Sequence, residues 1–125
     1  MPSYDGASFT PPAPIARVTL RNSDHTAEVS GVPMLLDTGA DVSLVPRKAI
    51  ERLVRPDQAA SRFQLLGFDG SSSTAEAFDL EMIFDGRVFR GRFLVMDGEC
   101  GILGRNILNS LSILYDGPRL TWDVR

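Results

Sequence analysis

The sequence predicts a single mainly β domain, a closed or nearly closed barrel that carries one or two short helices. Three observations support this fold class. Apolar residues alternate with polar neighbours in short runs, first around Val18 and Leu20 and again around Ala27 and Val29. Asp-Gly pairs at 69–70, 85–86, 97–98 and 116–117 mostly separate the later runs and suit tight hairpin turns. The length of 125 residues is that of one domain.

Taken in order, the elements begin with a segment rich in proline. Residues 1–14 carry four of the eight prolines, so we expect a flexible extended N-terminal arm ahead of a domain spanning 15–125. The apolar run 32–36 predicts a buried strand that stops at Asp37. Pro46 can begin a helix over 47–53, and a second helix is expected over 106–111. Further strands are predicted at 63–66, 78–84, 88–96, 111–115 and 120–124.

Composition excludes several classes of function. A formal charge of −3 and a pI near 5.0 argue against a large basic surface for nucleic acid. No apolar run approaches the roughly 18–20 residues of a membrane segment. The N-terminus lacks the features of a secretory signal, which favours a cytoplasmic location. Because Cys100 and His25 are the only residues of their types, no multi-cysteine zinc site is expected, and we predict neither a metal nor a cofactor.

One short segment carries a candidate reactive group. An apolar strand delivers the Asp37 carboxylate into a turn with a hydroxyl at Thr38 and a glycine at Gly39. Thr38 can hydrogen-bond backbone groups of the turn, and Gly39 leaves room for another chain or a substrate. The plain alternative is a turn between two strands without any chemistry.

A second segment makes the first more specific. Its sequence pairs two aliphatic residues with a glycine ahead of a short helix: Gly101-Ile102-Leu103-Gly104-Arg105-Asn106. Together the two segments resemble those of the retropepsin-like aspartic proteases, the family of retroviral proteases and their cellular relatives, over roughly residues 15–122. The resemblance implies an aspartic endopeptidase with the small closed barrel of that family. It assigns the catalytic motif to Asp37, Thr38 and Gly39, and the structural support of the site to Ile102, Leu103, Gly104 and Arg105.

The resemblance also implies a homodimer. Hydrolysis by a carboxylate pair needs two acids that share one proton, whereas this chain has a single Asp-Thr-Gly. We therefore expect two chains to meet about a two-fold axis, each contributing Asp37. The expected partner is an extended peptide or protein substrate, with no nucleic acid and no membrane segment involved. The closing hairpin over 114–122 resembles that of the cellular relatives, and we expect C-terminal strands at the dimer interface.

A flap hairpin that closes over bound peptide is expected where the family has one. The resemblance assigns substrate binding to Ala40 and Asp41 and to the flap residues Leu66, Gly67, Phe68, Asp69 and Gly70. The tip departs from the retroviral pattern, since it carries an aspartate and serines in place of further glycines. Asp41 matches a position that pairs with the arginine at Arg105 in retroviral members.

The sequence supports two further interpretations and leaves two alternatives open. Ala40 cannot donate a hydroxyl hydrogen bond to a nearby carboxylate, which favours a mildly acidic pH optimum. Asp79, Glu81 and Asp85 alternate with apolar residues, as on a solvent-facing strand. Two alternatives to an active protease stay open: a catalytically silent dimeric module that binds peptides or assembles a complex, and an enzyme held inactive until the arm is removed.

Overall fold

The structure is a computed structural model and describes residues 2–54, 61–66 and 72–125. Two short helices accompany the strands: α1 (Arg47–Glu51) and α2 (Arg105–Leu108). The strands are β1 (Tyr4–Asp5), β2 (Ala13–Asn22), β3 (Glu28–Leu36), β4 (Leu44–Pro46), β5 (Ser61–Leu66), β6 (Ser72–Phe84), β7 (Arg87–Met96), β8 (Gly101–Leu103), β9 (Ile113–Asp116) and β10 (Thr121–Val124). Both helices span about one turn, far short of what crossing a bilayer requires.

Six strands close into a barrel. Their order is β2-β3-β8-β4-β7-β6, and β6 pairs back onto β2 through Thr19↔Ile83 to Asn22↔Leu80. Most neighbours are antiparallel, but β3 runs parallel to β8 and β4 runs parallel to β7. The mainly β barrel with two short helices that the sequence predicts is therefore confirmed. The parallel β3–β8 pair matters most for function, because it brings the ends of both strands to one edge of the barrel.

The barrel interior is filled by large aliphatic and sulfur-containing side chains. The most deeply buried of them include Leu20, Met34, Leu80, Met82 and Leu103. Burying each such side chain contributes about 1.5–3 kcal/mol, so the core supplies most of the free energy that offsets chain ordering. Each helix adds two buried residues to this core, namely Ala49 and Ile50 from α1, and Ile107 and Leu108 from α2.

The described Asp-Gly pairs match the sequence prediction in part: 85–86 and 97–98 include positive φ values, whereas in the hairpin that follows Asp116-Gly117 it is Leu120 that has a positive φ, of 54°. Asp85 and Gly86 have φ of 54° and 71°, as a two-residue hairpin turn between β6 and β7 requires. Gly98 also lies in the left-handed region, with φ of 115°. The Asp69-Gly70 pair lies outside the described residues.

The N-terminal segment, which its prolines predict to be a flexible extended arm, forms backbone pairings in the structure. Tyr4 and Asp5 form β1 and pair with Pro14 and Ala13 at the start of β2. The Tyr4 N–H also donates to the Leu120 carbonyl at 2.7 Å. Proline is tolerated here because β1 is a two-residue edge strand and Pro14 lies at the beginning of its own strand. Residues 2–5 are thus held between β2 and the C-terminal hairpin.

Of the three acidic residues interpreted as solvent-facing, Glu81 on β6 is buried. Glu81 is only 4% exposed, whereas its neighbours Asp79 and Asp85 are exposed. Its carboxylate accepts hydrogen bonds from Arg21 at 2.8 Å and from Arg90, and it contacts His25 Nε2 at 2.6 Å. A period-two pattern along one strand cannot show that a carboxylate is covered, because the cationic side chains that cover it come from neighbouring elements.

Candidate active site

The Asp37 carboxylate lies at the first residue after β3, where the parallel partner β8 also ends. The Asp37 N–H donates to the Leu103 carbonyl at 3.0 Å, which continues the β3–β8 ladder by one residue. The Asp37 Oδ1 atom accepts the N–H of Gly39 at 2.9 Å. A Cβ added at Gly39 would lie 3.1 Å from the same oxygen. Glycine therefore leaves room for a carboxylate that is fixed by its own turn and is only half-buried.

Arg105 at the start of α2 holds the turn from the opposite side. Its backbone N–H donates to the Ala40 carbonyl at 2.8 Å, and its Nη1 donates to the Thr38 carbonyl at 2.7 Å. The Asp41–Arg105 ion pair expected from the resemblance is not formed within the described chain. The guanidinium instead uses the Thr38 carbonyl, an acceptor that a sequence pattern cannot identify because every residue has one.

Gly104 allows α2 to approach the turn this closely. A Cβ at this position would lie 2.6 Å from the Val42 carbonyl carbon and 3.0 Å from the Ala40 carbonyl oxygen. Gly101 is constrained in a similar way, because a Cβ added there would lie 2.5 Å from the Leu44 carbonyl oxygen. Both glycines of the second sequence segment are therefore explained by close backbone approach.

Two residues of the site were not singled out by the sequence analysis. Ser43 is 2% exposed, and its Oγ donates to Asn106 Oδ1 at 2.8 Å while accepting the Gly104 N–H at 3.0 Å. The sequence feature that could have identified Ser43 is its place between Val42 and Leu44, in a segment that enters the barrel. A buried hydroxyl needs partners, and the nearest ones are 61 and 63 residues away in the sequence.

The remaining predicted site residues are placed only in part. Ala40 is half-buried and Asp41 is exposed, both within the turn that follows Asp37. Ile102 and Leu103 lie in β8, where they pair with Leu35 and Leu36 just before the carboxylate. Leu66 ends β5 and pairs with Ser72 of β6. The flap residues Gly67, Phe68, Asp69 and Gly70 lie outside the described residues.

The described residues of one chain bring a single motif carboxylate to this edge of the barrel. Thr38 and Gly39 beside it are exposed, so this edge is accessible to a substrate or to a second chain. In the described part of the chain, no group of three or more His, Cys, Asp and Glu side chains is arranged to hold a metal ion.

The chain is similar to a known protein family in sequence and in fold. The family model for "Retroviral aspartyl protease" matches residues 11–115. In all, 216 chains of solved structures match, among them EIAV protease complexed with the inhibitor HBY-793. That protease is 30% identical to this chain, with a TM-score of 0.52, and the match covers 78% of this chain and 86% of the protease. The search of curated protein sequences gave no match. Since the family model covers most of the domain, the chain belongs to the retroviral aspartyl protease family.

Proposed function

We propose that this chain is an aspartic endopeptidase that acts as a homodimer, with one Asp37 from each subunit at the reaction centre. The observation that carries the proposal is the anchored, accessible Asp37 carboxylate, held by Gly39 and by the β3–β8 ladder. A surface turn without catalytic function does not require this set of contacts. The family to which the chain belongs supports the same assignment.

The chemistry follows from two carboxylates that share one proton. The ionised Asp37 accepts a proton from a water molecule, whose oxygen attacks the peptide carbonyl carbon. The protonated Asp37 of the other subunit donates a hydrogen bond to the carbonyl oxygen and stabilises the charge that develops there. Collapse of the tetrahedral intermediate breaks the C–N bond as the leaving nitrogen takes up the proton that the first Asp37 accepted from water.

The C-terminal hairpin is the surface that we assign to the dimer interface. Leu114 and Tyr115 on β9 and Leu120 in the following turn are each about two-fifths exposed. Residues 2–4 already contact β10 through Ser3↔Thr121 and the Trp122 N–H to Pro2 carbonyl bond. Among the described strands, β9 pairs with β10 alone. Its outer edge is therefore available to the same edge of a second copy, as a two-fold axis requires.

Substrate is expected to bind as an extended strand against this edge of the barrel. The half-buried Leu35 and Ile102 and the exposed Val42 supply apolar surface beside the turn. An extended peptide would form main-chain hydrogen bonds there and place alternate side chains against apolar positions. We therefore propose unfolded segments with apolar residues flanking the cleaved bond as the substrate class.

The test is cleavage of an unstructured peptide mixture from pH 4 to 7 by the native chain and by Asp37→Asn. Asp97→Asn is the matched control, since that exposed aspartate lies in the β7–β8 loop. We expect cleavage by the native chain and the control only, with a rate that rises faster than linearly with enzyme concentration. No cleavage by a folded, dimeric native chain would refute the proposal and favour a silent peptide-binding module or an arm-blocked enzyme.

The interface has its own test. Leu114→Glu should shift the chain to monomer in sedimentation and abolish cleavage at low concentration, because a charge would be buried at the interface. Val88→Glu is the control, because Val88 is equally exposed at 42% but lies at the start of β7. Equal dimer affinity in the two variants would exclude β9 from the interface.

A further inference from the structure

Ser43 links two segments that are distant in sequence. Its hydroxyl hydrogen goes to Asn106 Oδ1 of α2, and its oxygen accepts the Gly104 N–H that precedes α2. The side chain is 2% exposed, so water does not replace either partner. Both hydrogen-bonding capacities of this buried hydroxyl are therefore used between the Asp37 turn and the start of α2.

The bonded segments are the ones that set the position of the carboxylate. Ser43 ends the turn that starts at Asp37, and Gly104 follows Leu103, whose carbonyl accepts the Asp37 N–H. Between these two ends, Arg105 holds the carbonyls of Thr38 and Ala40. The turn is thus attached to the segment 103–106 at its first residue, in its middle and at its last residue.

We propose that Ser43 and Asn106 are positioning residues for the Asp37 carboxylate. In this proposal neither side chain contacts the substrate or the reacting atoms. Without their hydrogen bond, the turn would keep its β3–β8 anchor at one end but would be less fixed at the other. A carboxylate that must share a proton with a partner across a two-fold axis tolerates little displacement, and misplacement of about 1 Å can cost about 100-fold in rate. This inference rests on the proposed function for its effect on rate.

The variant that tests it best is Asn106→Ala. Asn106 is exposed, so its truncation leaves the core unchanged while removing the acceptor for the Ser43 hydroxyl. Asn106→Asp keeps an acceptor oxygen at the same place. Asn109→Ala is the matched control, since Asn109 is an exposed asparagine one turn later, at the C-terminal end of α2. Ser43→Ala removes both hydrogen bonds and should have the larger effect.

Two readouts separate positioning from general stability. Under conditions where all enzyme is dimeric, we expect Asn106→Ala to lower kcat about tenfold with KM within about twofold, and Asn106→Asp to restore most of it. Hydrogen exchange at Gly104 and Gly39 should accelerate, while exchange at Met82 in the β6–β7 pair should not change. Asn109→Ala should match the native chain in both measurements.

Each result decides a separate question. If Asn106→Ala behaves like Asn109→Ala in exchange and in kcat, or if all amides accelerate together, the positioning proposal is wrong. If the native chain cleaves nothing, the proposed function fails, while the exchange at Gly104 and Gly39 still decides whether the pair fixes the turn. Loss of local protection together with a drop in kcat supports both.

Discussion

The Arg105 guanidinium donates a 2.7 Å hydrogen bond to the carbonyl oxygen of Thr38, so the start of α2 holds the backbone of the turn that carries Asp37. We expect Arg105→Ala to lower the free energy of unfolding by about 1 kcal/mol, because an exposed charge-assisted hydrogen bond is worth less than a buried one. The rate of peptide cleavage should fall even under conditions where the variant stays folded, because the displaced turn carries Asp37. Urea unfolding and peptide cleavage at one protein concentration measure the two effects.

Asp41→Asn is the informative companion to that variant. The resemblance pairs Asp41 with Arg105, but the structure gives the guanidinium a backbone acceptor instead. We expect Asp41→Asn to keep the unfolding free energy within about 0.5 kcal/mol of the native value. A loss equal to that of Arg105→Ala would mean that the two side chains form an ion pair in solution.

Gly104 and Gly91 offer a matched pair of glycine substitutions. A methyl group at Gly104 would overlap the Val42 carbonyl and press against the Ala40 carbonyl oxygen. Both are backbone groups that cannot rotate away. A Cβ added at Gly91 in β7 would have no heavy atom of the described residues within 4 Å, apart from its chain neighbours. Thermal unfolding should show Gly104→Ala destabilised by about 1–3 kcal/mol, and Gly91→Ala unchanged or stabilised by up to about 1 kcal/mol. Equal destabilisation in both would contradict the close approach of α2.

The buried carboxylate of Glu81 makes stability depend on pH. Burial opposes its charged form, but hydrogen bonds from Arg90 and Arg21 outweigh burial and hold the pKa of Glu81 below its ordinary value of 4.5. Ionised Glu81 therefore stabilises the fold above pH 4.5, and this contribution is lost as the pH falls through the lower folded pKa. Glu81→Gln should be less stable than the native chain at pH 7, with a difference that shrinks below pH 4.5.

Chemical unfolding from pH 3 to 7 checks this dependence. Asp79→Asn is the control, because Asp79 lies on the same strand and faces Arg92 at 3.3 Å, but is 58% exposed. An exposed ion pair contributes little, so this control should follow the native curve. A Glu81→Gln difference that stays constant with pH would show that the glutamate acts by its shape and not by its charge.

Much of the fold could be predicted because local rules decide it. The period-two runs predicted the barrel strands, and the Asp85-Gly86 turn has the positive φ values that its residues favour. Strand β6 begins earlier than predicted, at Ser72, because pairing with β5 extends it through polar residues that carry no periodic signal.

The site could be predicted in identity but not in its contacts. The Asp37 motif identifies the carboxylate that the proposed function uses, whereas Ser43 and Asn106 meet only because β3 and β8 are parallel neighbours in the folded chain. The Arg105 acceptor is a backbone carbonyl, and the Glu81 carboxylate contacts two arginines and a histidine from separate elements. Such contacts depend on tertiary geometry, which a linear pattern does not contain.

Ala40 provides a test of the carboxylate pair that the proposed function requires. Alanine beside the turn donates no hydrogen bond to the carboxylate pair, whereas a serine hydroxyl could donate one and favour the charged form. Ala40→Ser should therefore move the acid limb of the pH–rate profile downward. Ala7→Ser is the exposed control outside the site. An acid limb that does not move would reject this role of Ala40 and the mildly acidic optimum predicted from it.

Removal of residues 1–5 tests whether the N-terminal segment belongs to the folded domain. Residues 2–4 form hydrogen bonds with the C-terminal hairpin, among them the Trp122 N–H to the Pro2 carbonyl at 3.0 Å. Trp122 is 4% exposed and packs against Phe84 with ring centroids 6.1 Å apart, so this edge borders the core. Loss of these backbone bonds should cost about 1–3 kcal/mol and accelerate hydrogen exchange at Trp122. A chain that lacks Met1 alone should behave like the native chain. If the truncated chain keeps native protection at Trp122, the segment is a dispensable arm after all; if it loses protection yet still dimerises, β9 and not the N-terminus forms the interface.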